Sequence, residues 1–163
     1  MSSAPVTSNY VPISRRELRW LIAAYLVGAV LRLWFPERMG IEHFDEGVYA
    51  SNFWFGAEQG YSYPARHLYA PPLLPAVIEW TMILASLCGI RPTGFVPMIP
   101  SLIAGLLTIP SLWWVGRRWF GPRAGLVAAW LVATSDFHAS YSRAAMTDVP
   151  VCLFILWGIS FLK

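Results

Sequence analysis

Apolar residues in this chain fall in long runs, not in short alternations. An uninterrupted run from Trp20 to Leu31 follows Arg15, Arg16 and Arg19, and closes on Arg32, Leu33, Trp34, Phe35 and Pro36. Three more stretches follow, Pro71 to Ile90, Phe95 to Val115 and Ala124 to Tyr141, and a last one opens at Val149 and reaches Lys163. Runs without strand-like alternation predict helices, and about 20 apolar residues are enough to cross a hydrocarbon core. The pattern predicts an all-α integral membrane protein with about four transmembrane helices, at residues 17–35, 95–116, 122–141 and from 149, the last one truncated. Residues 1–14, polar and with two prolines, read as a disordered cytoplasmic lead, and residues 15–163 as the membrane module of a longer protein. A cleaved signal peptide competes for the first run. No small-residue cleavage site follows it, so an uncleaved anchor is the preferred reading, with Arg32 near its far end.

Composition agrees with the pattern. Of 163 residues, 56% are hydrophobic and only 13% charged, where a soluble domain carries about 25%. The net charge of +3 is therefore no nucleic-acid signal, because its arginines sit at the ends of apolar segments and report orientation instead. Cys88 and Cys152 share no metal-ligand or CxxC spacing and read as apolar packing residues.

The basic clusters settle a topology by parity. Arg15, Arg16 and Arg19 mark one cytoplasmic end, and Arg117, Arg118 and Arg123 mark another. An even number of crossings must separate them. The anchor and Phe95 to Val115 already supply two, so Pro71 to Ile90 should lie against the outer interface. Its three prolines and Glu79 suit that placement better than a span. Ala124 to Tyr141 then runs outward and delivers Arg143 and Asp148 to the face that already holds Asp45 and Glu46.

That outer loop, residues 36–92, is too long for a tight connection and too aromatic for a linker. Glu46 to Glu58 reads as an amphipathic helix at headgroup level, carrying Val48, Tyr49, Phe53 and Trp54. Tyr61, Tyr63 and Tyr69 cluster with Arg66 and His67 ahead of Pro71 and Pro72. Such a cluster fits an interfacial belt or a pocket for a lipid-linked headgroup.

Four islands then resemble one family, in the family's order. Asp45-Glu46-Gly47-Val48-Tyr49 is similar to an acidic motif of a first outer loop, and Tyr69-Ala70-Pro71-Pro72-Leu73-Leu74-Pro75 to a double-proline motif. Gly116-Arg117-Arg118-Trp119-Phe120-Gly121 is similar to a cytoplasmic turn, and Tyr141 to Pro150 to a second outer acidic motif. Together they resemble the multi-spanning glycosyltransferases of the C-type fold, including the protein O-mannosyltransferase and aminoarabinose-transferase branch. The resemblance covers the family's N-terminal membrane module. It implies a polyprenyl-phosphate sugar donor, a hydroxyl acceptor on a lipid or protein, a multi-pass cell-membrane location with an extracytoplasmic active face, and a site completed by a C-terminal part of the same protein. Residues 15–163 alone are then expected to be inactive. Some relatives carry a basic residue before the double proline, where this chain has Ala70, and Arg66 or His67 is the substitute.

The resemblance makes Asp45 the general base, with Glu46 beside it in the catalytic set and inversion at the anomeric carbon. Neighbours on a helix point about 100° apart, so the two carboxylates should do different jobs, Glu46 being suited to a structural hydrogen bond or to acceptor binding. Arg143 is the candidate for the leaving phosphate, since a guanidinium binds phosphate oxygens in pairs. Asp148 either orients Arg143, holds the acceptor, or caps the helix whose first turn contains Pro150. Tyr49, Tyr69, Arg66 and His67 complete the expected substrate-binding set. Asp136 and His138 read as polar residues at a helix end in preference to headgroup ligands. A divalent metal is compatible with the carboxylates, but no ligand spacing demands one, and no other cofactor is implied. The alternative reading is a non-catalytic membrane subunit or lipid- or partner-binding module. A transporter piece is less favoured, because it would predict charged residues at mid-membrane in the spanning helices, and apart from Arg32 none is found there.

Overall fold

The computed structural model describes residues 12–51, 73–91 and 94–161. Arg66, His67 and Tyr69, and most of the amphipathic segment expected over 46–58, lie outside the described residues. Within them the chain is helical, without strands: α1 (Arg15–Leu33), a 3-10 turn (Pro36–Arg38), α2 (Phe44–Ser51), α3 (Leu73–Leu87), a second 3-10 turn (Val96–Met98), α4 (Ile99–Phe120), α5 (Pro122–Thr134), α6 (Asp136–Ser142) and α7 (Asp148–Ser160).

The centre is a hairpin of α4 and α5. Gly121, at φ 95°, turns the chain in the left-handed region that a side chain disfavours. Gly116 and Gly125 then let the two backbones touch. A Cβ on Gly116 would stand 3.0 Å from the Gly125 Cα, and one on Gly125 would run into the Trp113 carbonyl. Small residues permit such approach where lipid offers no hydrophobic drive for helix association.

α1 lies against this hairpin, antiparallel to α4. Ser14 caps it by accepting from the Glu17 amide at 3.0 Å. Glu17 is buried, and its Oε1 accepts from Trp113 Nε1 at 3.0 Å and Arg117 Nε at 2.8 Å, both near the end of α4. Leu21 and Ala24 continue the contact into a core with Ile109, Trp113, Ala129 and Ala133. α7 packs on the other side of α4, where Trp157 Nε1 donates to Ser111 Oγ at 3.1 Å and its ring stacks on Trp114.

The end of the bundle remote from Arg117 is closed by a second apolar cluster. Met39, Leu74, Ile78, Met98, Leu102 and Ala145 meet there, drawn from the first loop, α3, the second 3-10 turn, α4 and the α6–α7 link. α3 is therefore a 15-residue helix packed on α2 and the start of α4, with Glu79 turned inward at 4% exposure.

Several expectations need correction. The segment 122–141 is not one helix: Ser135 is extended (φ −66°, ψ 115°) and caps α6, its Oγ accepting from the His138 amide at 3.2 Å. A capping serine followed by aspartate competes successfully with helix continuation. Asp148 is not the cap of α7. That position belongs to Thr147, in helical conformation and without a side-chain capping bond, and Asp148 is the first helical residue. Both cysteines are exposed, not packed inside.

Among the described residues one helical stretch, Val96–Phe120, is long and apolar enough to cross a membrane. Large apolar side chains also cover the outside of other helices, including Leu26 and Val30 on α1, Val127 and Leu131 on α5, and Phe154 and Ile155 on α7, all exposed. Coverage on this scale needs lipid or protein against it.

Closeness of α4 and α5 can be tested on two glycines. Gly125→Ala should lower stability by about 1–3 kcal/mol, the usual cost of overpacking. Gly158→Ala, with nothing within 4 Å of the added methyl, should leave the unfolding temperature unchanged or raise it slightly. Thermal unfolding of both variants in detergent reads the difference.

Candidate active site at the Glu46 end

The acidic pair at the start of α2 divides into two very different carboxylates. Glu46 is 1% exposed, and Asp45, one residue earlier, is exposed. A buried carboxylate costs several kcal/mol unless donors surround it. Glu46 has them. Its Oε2 accepts from the backbone amides of Glu42 (3.0 Å) and His43 (2.9 Å) and from His43 Nδ1 (3.0 Å). Its Oε1 accepts from the amide of Ala145 at 2.8 Å, 99 positions along the chain.

This last bond makes the site. It joins the first acidic island to the second, so the loop after α1 and the link between α6 and α7 share one end of the bundle. Burial alone would raise the Glu46 carboxyl. The amides of His43, Ala145 and Glu42 and the His43 ring outweigh burial and hold it below the ordinary value of 4.5. Glu46 is consequently a charged anchor whose lone pairs are occupied by the protein.

Asp45 is left facing outward, in the first turn of α2, where the helix N-terminus favours its charge. Tyr49, one turn on, is half-buried against the apolar cluster of Met39, Ile78 and Met98. Arg143 ends α6, its amide donating to Ser140 and Tyr141 carbonyls, and its half-buried position lies two residues before Ala145. Asp148 is exposed in the first turn of α7. Among the described residues no ion pair joins Asp148 to Arg143. Asp45, Tyr49, Arg143 and Asp148 are thus at one end, linked through Glu46. Among the described residues no three His, Cys, Asp or Glu side chains converge to hold a metal ion.

Two side chains that shape this end of the bundle escape a reading by motif. Arg32 is fully buried, and its guanidinium donates to the carbonyls of Gly28 (3.0 Å), Ala133 (3.1 Å) and Val132 (2.9 Å) and meets His138 Nδ1 at 2.9 Å. Two of those carbonyls are the ones that the break at Ser135 leaves without helical partners. Arg32 is therefore the C-terminal cap of α5, supplied by another helix, and His138 is a polar helix-end residue with a defined partner. Ser142 joins this junction at 3.3 Å from His138 Nδ1, over Gly105, where a Cβ would collide with it. Through α6 the junction sets where Arg143 and Ala145 emerge. His43, the other missed residue, is signalled only by its three-residue spacing from Glu46.

Glu46→Gln tests the anchor. An amide would present a donor to backbone amides, so the variant should lose about 1–3 kcal/mol of stability at pH 7. Because the folded carboxyl titrates below its unfolded value, its contribution is complete above about pH 4.5 and is lost as pH falls through the lower folded value. Thermal unfolding across pH 7 to 3.5 should show the gap between wild type and Glu46→Gln closing toward acid.

Comparison with known proteins is consistent with this geometry. The model of one protein family, dolichyl-phosphate-mannose-protein mannosyltransferase, matches residues 70–163. No curated protein and no solved structure matches the chain. The matched region spans α3 to α7, including Arg143, Ala145 and Asp148, and is more than half of the chain. The chain belongs to the dolichyl-phosphate-mannose-protein mannosyltransferase family.

Proposed function

We propose that this chain is the N-terminal membrane module of a glycosyltransferase that moves a sugar from a polyprenyl-phosphate carrier to a hydroxyl group of a lipid or protein, outside the cytoplasm. The carrying observation is the 2.8 Å bond between Glu46 and the Ala145 amide, which gathers both acidic islands at one end and leaves Asp45 exposed there. Family membership supports a polyprenyl-phosphate-mannose type of donor.

The chemistry assigns the roles. The acceptor oxygen attacks the anomeric carbon, the bond from that carbon to phosphate oxygen breaks, and its electrons leave on the phosphate. The phosphate departs as a stable anion and needs no proton. The acceptor hydroxyl must lose one, and the Asp45 carboxylate takes it. A single displacement inverts the anomeric configuration. Arg143 receives the charge of the departing phosphate, and Asp148 and Tyr49 line the acceptor side. Glu46 acts as a positioning residue, holding the α2 turn on the α6–α7 link.

The same reading carries the topology. α1, α4, the α5–α6 pair and α7 cross the membrane, α3 lies at the outer interface, and Arg117, Arg118 and Arg123 stay inside. α1 and α4 run in opposite directions and α1 and α5 in the same one, as the Glu17 and Arg32 contacts require.

Asp45→Asn in the full-length enzyme, assayed with a polyprenyl-phosphate sugar, should reduce turnover by about 10²- to 10⁴-fold at unchanged expression. Near-normal turnover would remove Asp45 from the base role. Orientation has its own test. With Cys152→Ser as background, exposed Cys88 should react with a membrane-impermeant thiol reagent added outside, and with Cys88 also replaced, Arg118→Cys should react only after permeabilisation. The reverse pattern would put the acidic site in the cytoplasm.

A further inference from the structure

The Arg117 end of the bundle carries a recess, at the opposite end of α1 from the Glu46 site. It has a volume of about 460 Å³ and lies between the start of α1 and the start of α5, lined by Ser14, Arg16, Glu17, Trp20, Arg123 and Leu126 among others. A shallower groove of about 590 Å³ continues from it along α5, sharing Trp20, Arg123 and Leu126 and extending over Val127, Trp130 and Leu131 to Thr134. The two form one channel with a polar mouth and an apolar floor.

Charge at the mouth is unbalanced. Glu17 is already committed to Trp113 and Arg117. Arg16 and Arg123, one from each wall, make no ion pair among the described residues. Two unpaired guanidinium groups over one recess select an anion. The floor selects something else. Trp20 and Trp130 stand edge to face at 6.2 Å, and exposed Val127 and Leu131 prolong the apolar track toward mid-bundle. An occupant with an anionic head and a hydrocarbon tail meets both demands.

We infer that this channel binds one anionic glycerophospholipid of the leaflet at the Arg117 end, its phosphate between Arg16 and Arg123 and an acyl chain along Trp20, Leu126, Trp130 and Leu131. The bilayer supplies such a molecule beside the groove, and the groove opens sideways along the exposed face of α5. The bound lipid bridges α1 to the central hairpin through the two arginines.

Native mass spectrometry of the full chain released from detergent micelles reads the occupancy, with dioleoyl phosphatidylglycerol and dioleoyl phosphatidylcholine as probes. The glycerol lipid should bind one site more tightly than the choline lipid. Arg16→Gln with Arg123→Gln should weaken it about 30-fold, from the attraction of two surface arginines for an anionic lipid. Arg118→Gln, off the channel, should bind as wild type, and the charge-keeping pair Arg16→Lys with Arg123→Lys should retain most of the affinity. Equal binding of the two lipids would overturn the assignment, as would equal losses in the Arg118 variant or in the lysine pair. Displacement of the glycerol lipid by an equimolar polyprenyl phosphate would overturn it in favour of a carrier-lipid site.

Discussion

Everything at the candidate site depends on a carboxylate whose oxygens are held by the protein's own donors. Glu46 is buried, charged and surrounded by donors from two parts of the chain separated by 99 positions. Its burial would be unfavourable by several kcal/mol without those donors, and the backbone amides of Glu42, His43 and Ala145 cannot point elsewhere once α2 and the α6–α7 link have formed. A fixed anion and fixed amides hold each other in place. The exposed neighbour, Asp45, inherits a defined position from this arrangement.

The remainder of the bundle repeats the device with other partners. At the Arg117 end, a buried glutamate on α1 takes donors from α4. At the Glu46 end, a buried arginine on α1 gives donors to the last turn of α5. Apolar packing among Leu21, Ala24, Ile109, Ala129 and Ala133 lies between them. Dispersion contacts between apolar helices discriminate poorly between registers, because one apolar residue resembles another. The polar contacts discriminate strongly, since a displaced Glu17 or Arg32 leaves a buried charge without its partners.

The sequence disclosed the helical class, the family and the different surroundings of Asp45 and Glu46, because each rests on local signals: apolar run length, short motifs and the step of about 100° between neighbours. The single helix expected over 122–141 failed at Ser135. Run length is blind to a capping serine inside an apolar stretch, and only Arg32, about 100 positions away, makes the break tolerable by taking the freed carbonyls. Ala145 was illegible for a different reason. Its contribution is a backbone amide, which every residue but proline possesses, so no side-chain pattern marks it. The cysteines misled because an apolar residue in a bundle whose outer surface is also apolar has two suitable destinations, the interior and that surface, and composition does not separate them.

Fastening α1 by Glu17 at one end and Arg32 at the other has a dimensional consequence. Fifteen residues separate the two pins, about 22 Å along a helix axis. Inserting or deleting one residue between them would slide one pin by about 1.5 Å and swing it by about 100°, taking it out of reach of its partners. The exposed residues along the same stretch, such as Leu26 and Val30, carry no such constraint and can exchange freely with other apolar side chains. α1 therefore works as a ruler of fixed length and free composition, holding the two ends of the bundle one set distance apart.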